Sequence, residues 1–281
     1  MTQSEYNAIA VSVVMPVYNS ESYLSDAIRS ILDQTHSNFE FIIIDDLSED
    51  ASWRIASRFA SRDGRIKLFR NPTNLGIVKT RNLGFARTNP EHRYLAIMDS
   101  DDISLPRRLE RQIAFLEQHP DHGLVGGNTL IIDEDSREIS SRRYPSCDRE
   151  IRRVITRYNP IAQPTAMLRR SVLRQVGAYD ERFPRCQDYD LWCRIAARYK
   201  LANLDEYTLK YRVSSTQGKT VHLRDSLVYT IQIQREWLFH KGFVNPLNLL
   251  TFGLEHCLLW LPEPITLRLF KAITYRRLLQ R

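Results

Sequence analysis

The chain has 281 residues, 43% hydrophobic and 26% charged, a globular composition that excludes wholesale disorder. Its 40 lysines and arginines against 33 acidic residues leave a formal charge of +7, which points to anionic partners such as nucleotides, phospholipid headgroups or nucleic acid without choosing among them. Cys147, Cys186, Cys193 and Cys257 show neither CxxC pairing nor histidines at zinc spacing, which argues against a structural metal knot and for a reducing compartment.

Residues 11–16 (VSVVMP) form a short apolar, β-branched run that reads as a strand buried on both faces. Residues 20–34 follow with helical spacing, placing Tyr23, Leu24, Ala27, Ile28, Ile31 and Leu32 on one stripe behind an Asn19/Ser20 cap. Residues 39–46 (FEFIIIDD) repeat the strand form, and residues 48–62 the helical one, with Trp53, Ile55, Ala56 and Phe59. The alternating run 65–70 suits a strand nearer the sheet edge, residues 93–99 (RYLAIMD) are another buried strand, and a helix is expected over 106–118, with Pro106 in its first turn. Further on come a strand over 163–169, a short helix over 171–177 ended by glycine, and an amphipathic helix over 187–199 with acids in its first turn. That last helix turns Leu191, Trp192, Ile195 and Ala196 inward, Trp192 packing in the core or against the ring of a ligand. From about Leu223 the pattern is helical and apolar. The expected architecture is an α/β fold, a mostly parallel sheet with helices on both faces, plus a C-terminal helical segment.

In such sheets ligands bind at the carboxyl ends of the strands. Polar groups collect there: Pro16-Val17-Tyr18-Asn19, Asp45-Asp46-Leu47-Ser48 and Asp99-Ser100-Asp101-Asp102. The last group offers hard oxygen ligands suited to Mg2+ or Mn2+ held together with substrate phosphates; the alternative is that Asp102 or Ser104 caps the next helix. Ser48 is expected to cap the helix after it, leaving Asp46 free to accept a hydrogen bond from a base edge or ribose. Neither GxGxxG nor GxxxxGK[ST] follows a strand, which argues against a dinucleotide oxidoreductase or a P-loop NTPase. Phosphate would then be neutralised by metal and by Arg81 or Lys79, unless these two lie on a solvated helix face.

Four segments in this order, VSVVMPVYNSESYLSDAIRSILDQTHSNFEFIIIDDLSED, NLGIVKTRNLGFARTN, YLAIMDSDDISLPRRLE and QDYDLWCRI, give the chain a likeness to a known family. It resembles glycosyltransferase family 2. The resemblance implies a GT-A catalytic domain over residues 1–215 and a helical segment over 216–281. It further implies inverting transfer from a nucleotide-diphosphate donor, expected to be a UDP-sugar, to a hydroxyl of a saccharide or lipid-linked glycan acceptor in cell-surface polysaccharide synthesis. Carried onto this chain, it puts Pro16, Tyr18, Asn19, Asp46, Arg81, Asp99 and Ser100 around the nucleotide, with Asp46 reading the base. Asp101 would grip Mn2+ or Mg2+ with Asp99 beside it, and Asp188 would be the catalytic base, at a helix start where the dipole favours negative charge. Two positions depart from the family pattern. Gln187 stands where glutamate is common, and Ser214, in Tyr211-Arg212-Val213-Ser214, where histidine is frequent; His222 is a candidate substitute.

The C-terminal stretch mixes Leu, Trp, Phe and Ile with Arg268, Lys271, Arg276, Arg277 and Arg281. This suits peripheral contact with an anionic membrane, the alternative being a helix packed on the catalytic domain. Residues 1–10 lack a signal-peptide pattern, and no apolar run reaches the roughly 18 residues of a bilayer span. The expected location is the cytosol, at the inner face of the cytoplasmic membrane if the interface reading holds. The rival functions are a metal-dependent nucleotidyltransferase, which would release pyrophosphate, and a non-catalytic nucleotide-sugar binding module. No nucleic-acid reading motif is present.

Overall fold

The structure is a computed structural model and describes residues 8–214, 223–240, 243 and 246–258. In chain order its elements are β1 (Val11–Val17), α1 (Leu24–Leu32), β2 (Phe39–Asp45), α2 (Ser52–Ala60), β3 (Ile66–Arg70), α3 (Ile77–Arg87), β4 (Tyr94–Ile97), β5 (Ile103–Ser104) and α4 (Arg108–Gln118). There follow β6 (His122–Ile132), β7 (Glu138–Arg142), α5 (Asp148–Val154), a 3-10 turn (Gln163–Thr165), β8 (Met167–Arg169), α6 (Arg170–Val176), α7 (Gln187–Ala196), β9 (Lys200–Arg212), α8 (Leu223–Trp237) and α9 (Pro246–Leu258).

The strands join one sheet in the order β3-β2-β1-β4-β8-β6-β9-β5, with β7 beside β6. The first four pair in parallel, as the alternation of strand and helix requires, and β3 lies at the edge. Beyond β4 the sheet is mixed. β8 runs antiparallel to both β4 and β6, β9 runs parallel to β6, and β5 and β7 add antiparallel pairs. The sequence after β4 lacks the regular strand-helix alternation, and short connections such as the turn at Asp133, where Asp133 N donates to Arg137 O, make antiparallel neighbours.

Both faces of the sheet are covered. Val11, Val13, Met15 and Val17 of β1 face one way, onto Leu24, Ala27, Ile28 and Ile31 of α1 and Leu109, Ile113 and Leu116 of α4. Val14, with Ile42 and Ile44 of β2, faces the other, onto Val78 and Phe85 of α3 and Leu191, Trp192 and Ile195 of α7. Side chains alternate along a strand, so a run apolar at every position feeds two cores at once. Trp192 is fully buried in the second core, so core packing is its place. Gly84 lets α3 approach β1: a Cβ there would stand 2.4 Å from Val14 Cγ1.

Helix starts differ from the sequence reading. α1 begins at Leu24 and not at Ser20, whose carbonyl accepts from Tyr23 N and Leu24 N in a turn and whose hydroxyl donates to Tyr18 O. α2 begins at Ser52 because Asp50 takes the N–H groups of Glu21 and Ser52 in the preceding loop. Helix α6 does stop at Gly177, with φ 81.

α8 packs on the sheet-bound helices through Ile233, and Phe243 joins the same core. The expected boundary at 215/216, His222 and the basic tail from Arg268 to Arg281 lie outside the described residues. Among the described residues no helix is long and apolar enough to cross a membrane. Cys147, Cys186 and Cys193 take part in no disulfide.

Candidate active site

β4 accompanies β1 only as far as Val14 opposite Ile97, after which Met98 N donates to Val14 O. Pro16 has the same orientation as Val14, so its missing N–H falls on the side that β4 has left and costs the sheet no bond. Pro16 is therefore buried inside β1, one residue before its end, and does not stop the strand. Tyr18, 49% exposed, and Asn19, with φ 45, follow the strand. Asn19 N donates to Ser48 Oγ at 3.1 Å, and Asn19 Oδ1 accepts from Glu49 N at 2.9 Å. Ser48 thus ties the exits of β1 and β2 together and does not cap α2.

Asp46 is not left free as that cap would have left it. Its carboxylate accepts from Asn71 Nδ2 at 2.7 Å, Leu75 N at 2.9 Å and Gly76 N at 2.9 Å, anchoring the loop 71–76 that leads into α3. Two oxygens offer about four acceptor positions, so one remains for a ligand. Neighbouring Asp45 is buried and pairs with Arg70 Nε at 3.0 Å.

At the exit of β4, Asp99 Oδ1 accepts from Arg81 Nη2 at 2.5 Å. Burial alone would weaken the charge of Arg81. The Asp99 carboxylate, with Tyr179 and Asp188 around it, more than reverses this and holds the guanidinium above the usual arginine range. Ser100 Oγ lies 2.7 Å from Ser20 Oγ. Asp102 caps nothing: it is buried, Oδ1 accepts from Arg212 N at 2.8 Å, and Oδ2 has no partner. Burial, then Asp101 and Asp99, push its carboxyl well above the usual range. Ser104 lies in β5 and accepts from Gln34 Nε2. Arg212 holds the acidic loop from behind, with Nε on Asp101 O at 2.8 Å and its guanidinium 4.2 Å from the centre of the Tyr23 ring.

The second half of the chain completes the cluster. Asp188, in the first turn of α7, accepts from Asn159 Nδ2 at 2.6 Å. Tyr179 stacks on Phe85 at 5.4 Å, lies 6.0 Å beneath the Arg81 guanidinium and accepts from Gln163 Nε2 at 2.9 Å. Its hydroxyl is raised by burial first; Arg81 and Gln163 oppose this, and Asp188 and Asp99 add to it. Asp99 and Asp188 therefore act on the same arginine and the same tyrosine, although one follows β4 and the other lies in α7. Tyr179, Asn159 and Gln163 were not foreseen from the sequence, since none sits in a strand exit of the parallel part. Lys79 stays on the surface, 3.9 Å from Glu181, in an open depression of about 290 Å³ that Leu75, Asn82 and Leu83 also line.

Asp99 and Asp101 supply hard oxygen donors, of which Asp99 is already paired with Arg81. Among the described residues no group of three or more His, Cys, Asp or Glu side chains is arranged to hold a metal. The acids fit a cation that also takes oxygens from a bound diphosphate.

A parallel α/β unit with acids along its carboxyl edge and a second acid brought in from a mixed extension is the architecture of GT-A glycosyltransferases. Residues 12–177 match glycosyl transferase family 2, and the chain belongs to that family. It is 32% identical over 248 residues to the O-antigen biosynthesis glycosyltransferase WbnJ of Escherichia coli, covering 85% of this chain and 93% of that one. The fold is shared with TarS residues 1–349 of S. aureus in complex with UDP-GlcNAc, with a TM-score of 0.60 at 19% identity over 92% of this chain and 83% of that one. It is shared also with the mannosyltransferase PcManGT of Pyrobaculum calidifontis in complex with GDP-Man and Mn2+, with a TM-score of 0.61 at 16% identity over 96% and 81%.

Proposed function

We propose that the chain transfers a sugar, with inversion, from a UDP-sugar to a hydroxyl of a saccharide or lipid-linked glycan acceptor in cell-surface polysaccharide synthesis. The observation that carries this reading is the cluster in which Arg81 pairs with Asp99 and lies over the Tyr179 ring, with Asp188 close enough to act on both. Tyr18, Asn19, Asp46 and Ser100 flank the nucleotide, Asp46 both fixing the 71–76 loop and offering its remaining acceptor position to the base. Mn2+ or Mg2+, held by Asp101 with Asp99, would neutralise charge on the diphosphate. Arg81 stands beside the same acids and stabilises the diphosphate as it leaves.

Asn159 fixes one oxygen of Asp188. The other takes the proton from the acceptor hydroxyl as its oxygen bonds to the anomeric carbon, and the bond from that carbon to the diphosphate breaks with its electron pair leaving on the nucleotide. TarS with UDP-GlcNAc, PcManGT with GDP-Man and Mn2+, and the O-antigen role of WbnJ support this donor chemistry, metal and setting.

We extend the reading to the C-terminal segment, taking residues 1–215 as the catalytic unit and 216–281 as a helical appendage at the inner face of the cytoplasmic membrane. Helix α9 buries its polar Asn248 and exposes Leu247, Leu249 and Leu250, an arrangement suited to an apolar boundary.

The test pairs two variants. Asp188→Asn is expected to bind donor as the wild type does and to lose turnover by about a thousandfold; Asp101→Ala is expected to lose metal-dependent donor binding in calorimetry. An Asp188→Asn enzyme that keeps most of its rate excludes the base. Release of pyrophosphate in place of a nucleoside diphosphate would make the chain a nucleotidyltransferase.

A further inference from the structure

Helices α8 and α9, the last described in the chain, touch both segments that hold Asp188. The first is the start of α7. Cys186, directly before it, has φ 59 and ψ 19, the left-handed region that residues with a Cβ avoid. This conformation starts the helix so that Asp188 falls in its first turn. Cys186 Sγ lies 3.5 Å from both Ser226 O and Thr230 Oγ1 of α8. Just upstream, buried Phe183 meets Tyr229 of α8 edge-on at 6.3 Å, and Arg182 pairs with Glu236 at 3.7 Å.

The second segment carries Asn159, which donates to Asp188. Gln234 Nε2 of α8 donates to Arg157 O at 3.1 Å, and Asn248 Nδ2 of α9 donates to Thr156 Oγ1 at 2.5 Å. Gln234 and Asn248 are 1% and 0% exposed. A buried amide directed at one short segment is a costly group whose partner must stay in place. Neither α8 nor α9 makes such contacts with Asp46, Arg81 or Asp99 among the described hydrogen bonds and ion pairs.

We infer that α8 and α9 brace the base: they fix the entry to α7 and the 156–159 segment from one side, so that Asp188 and Asn159 keep their geometry while donor binding is set elsewhere. Cys186, Thr230, Gln234 and Asn248 are positioning residues, and the inference rests on Asp188 being the base. Proton transfer requires reach of about 3 Å, and a misplacement of about 1 Å can cost about a hundredfold in rate.

The experiment measures kcat and donor Kd for Cys186→Val, Cys186→Asn, Gln234→Ala and Thr230→Val. Cys186→Val, whose β-branch resists the left-handed conformation, and Gln234→Ala are each expected to lower kcat about tenfold with donor Kd within about twofold of wild type. Cys186→Asn removes the same thiol but tolerates that conformation, and is expected to stay within about threefold. Should Gln234→Ala or Cys186→Val fail to fold by circular dichroism, the near-isosteric Thr230→Val is expected to lose kcat about threefold at unchanged Kd. Wild-type kcat in folded Cys186→Val, Gln234→Ala and Thr230→Val overturns the brace, as does a parallel loss of donor binding. If Asp188→Asn is inactive while these variants keep full kcat, the brace alone falls; if Asp188→Asn is active, base and brace fall together.

Discussion

Arg81 Nη2 and Asp99 Oδ1 stand 2.5 Å apart and join helix α3 to the exit of strand β4, with the arginine side chain 6% and the aspartate 24% exposed. Removing one partner of such a pair leaves the other charged and poorly solvated. Arg81→Ala is expected to cost about 3 kcal/mol in urea denaturation and to weaken donor binding about tenfold or more. Arg81→Lys keeps the charge without the planar fork and is expected to fall between the two.

Asp46→Ala takes the acceptor from Asn71 Nδ2 and from the N–H groups of Leu75 and Gly76. Each buried donor left unpaired costs about 1–3 kcal/mol, partly relieved by water at the rim of the loop, so a loss of about 2–4 kcal/mol is expected. Chemical denaturation measures it, and hydrogen exchange at Leu75 and Gly76 should speed up together.

Gly84→Ala would raise intrinsic helix propensity by about 1 kcal/mol. Its Cβ would nevertheless meet Val14 Cγ1 at 2.4 Å and Ile44 Cδ1 at 3.4 Å. Overpacking of about 1–3 kcal/mol should win, giving net destabilisation in thermal melts. Val14→Ala in the same chain should relieve the clash, so the double mutant is expected to be more stable than the sum of the two single losses.

Burial holds His36 and His92 below the ordinary histidine value of 6.5 in the folded chain. Burial is the largest cause for each; for His92, Arg170 and Lys67 act in the same direction and Glu40 opposes them. The unfolded chain therefore binds protons first, so the stability these rings give is complete above 6.5 and is lost as the pH falls through and below that value. The melting temperature is expected to drop between pH 7.5 and about pH 5, and His92→Gln should flatten that dependence.

The strand exits were legible because β1, β2 and β4 are apolar at nearly every position, and such runs announce both their ends and the side on which polar residues must collect. The roles expected of Arg81 and Asp188 came from the family motif, and in the structure Asp188 lies close enough to act on Arg81. Other features could not be read along the chain. Ser48, Asp102 and Ser104 have the composition of helix caps, but their bonds run to Asn19, Arg212 and Gln34, far away in sequence. Tyr179, Asn159 and Gln163 are polar residues in irregular segments, where no periodicity marks a buried partner. The end of β1 was misread by one residue for a different reason: proline usually ends a strand, and here the shortness of β4 lets the strand continue past Pro16 to Val17.

The reversal of strand direction between β4 and β8 separates the origins of the cluster: Arg81 and Asp99 precede it in the chain, while Asn159, Tyr179 and Asp188 belong to segments that follow β6. Change on one flank need not disturb strand pairing on the other. On the proposed function the donor-binding acids lie before this reversal and the base after it, so chimeras joined near residue 100 are expected to carry donor preference with the first part and acceptor preference with the second.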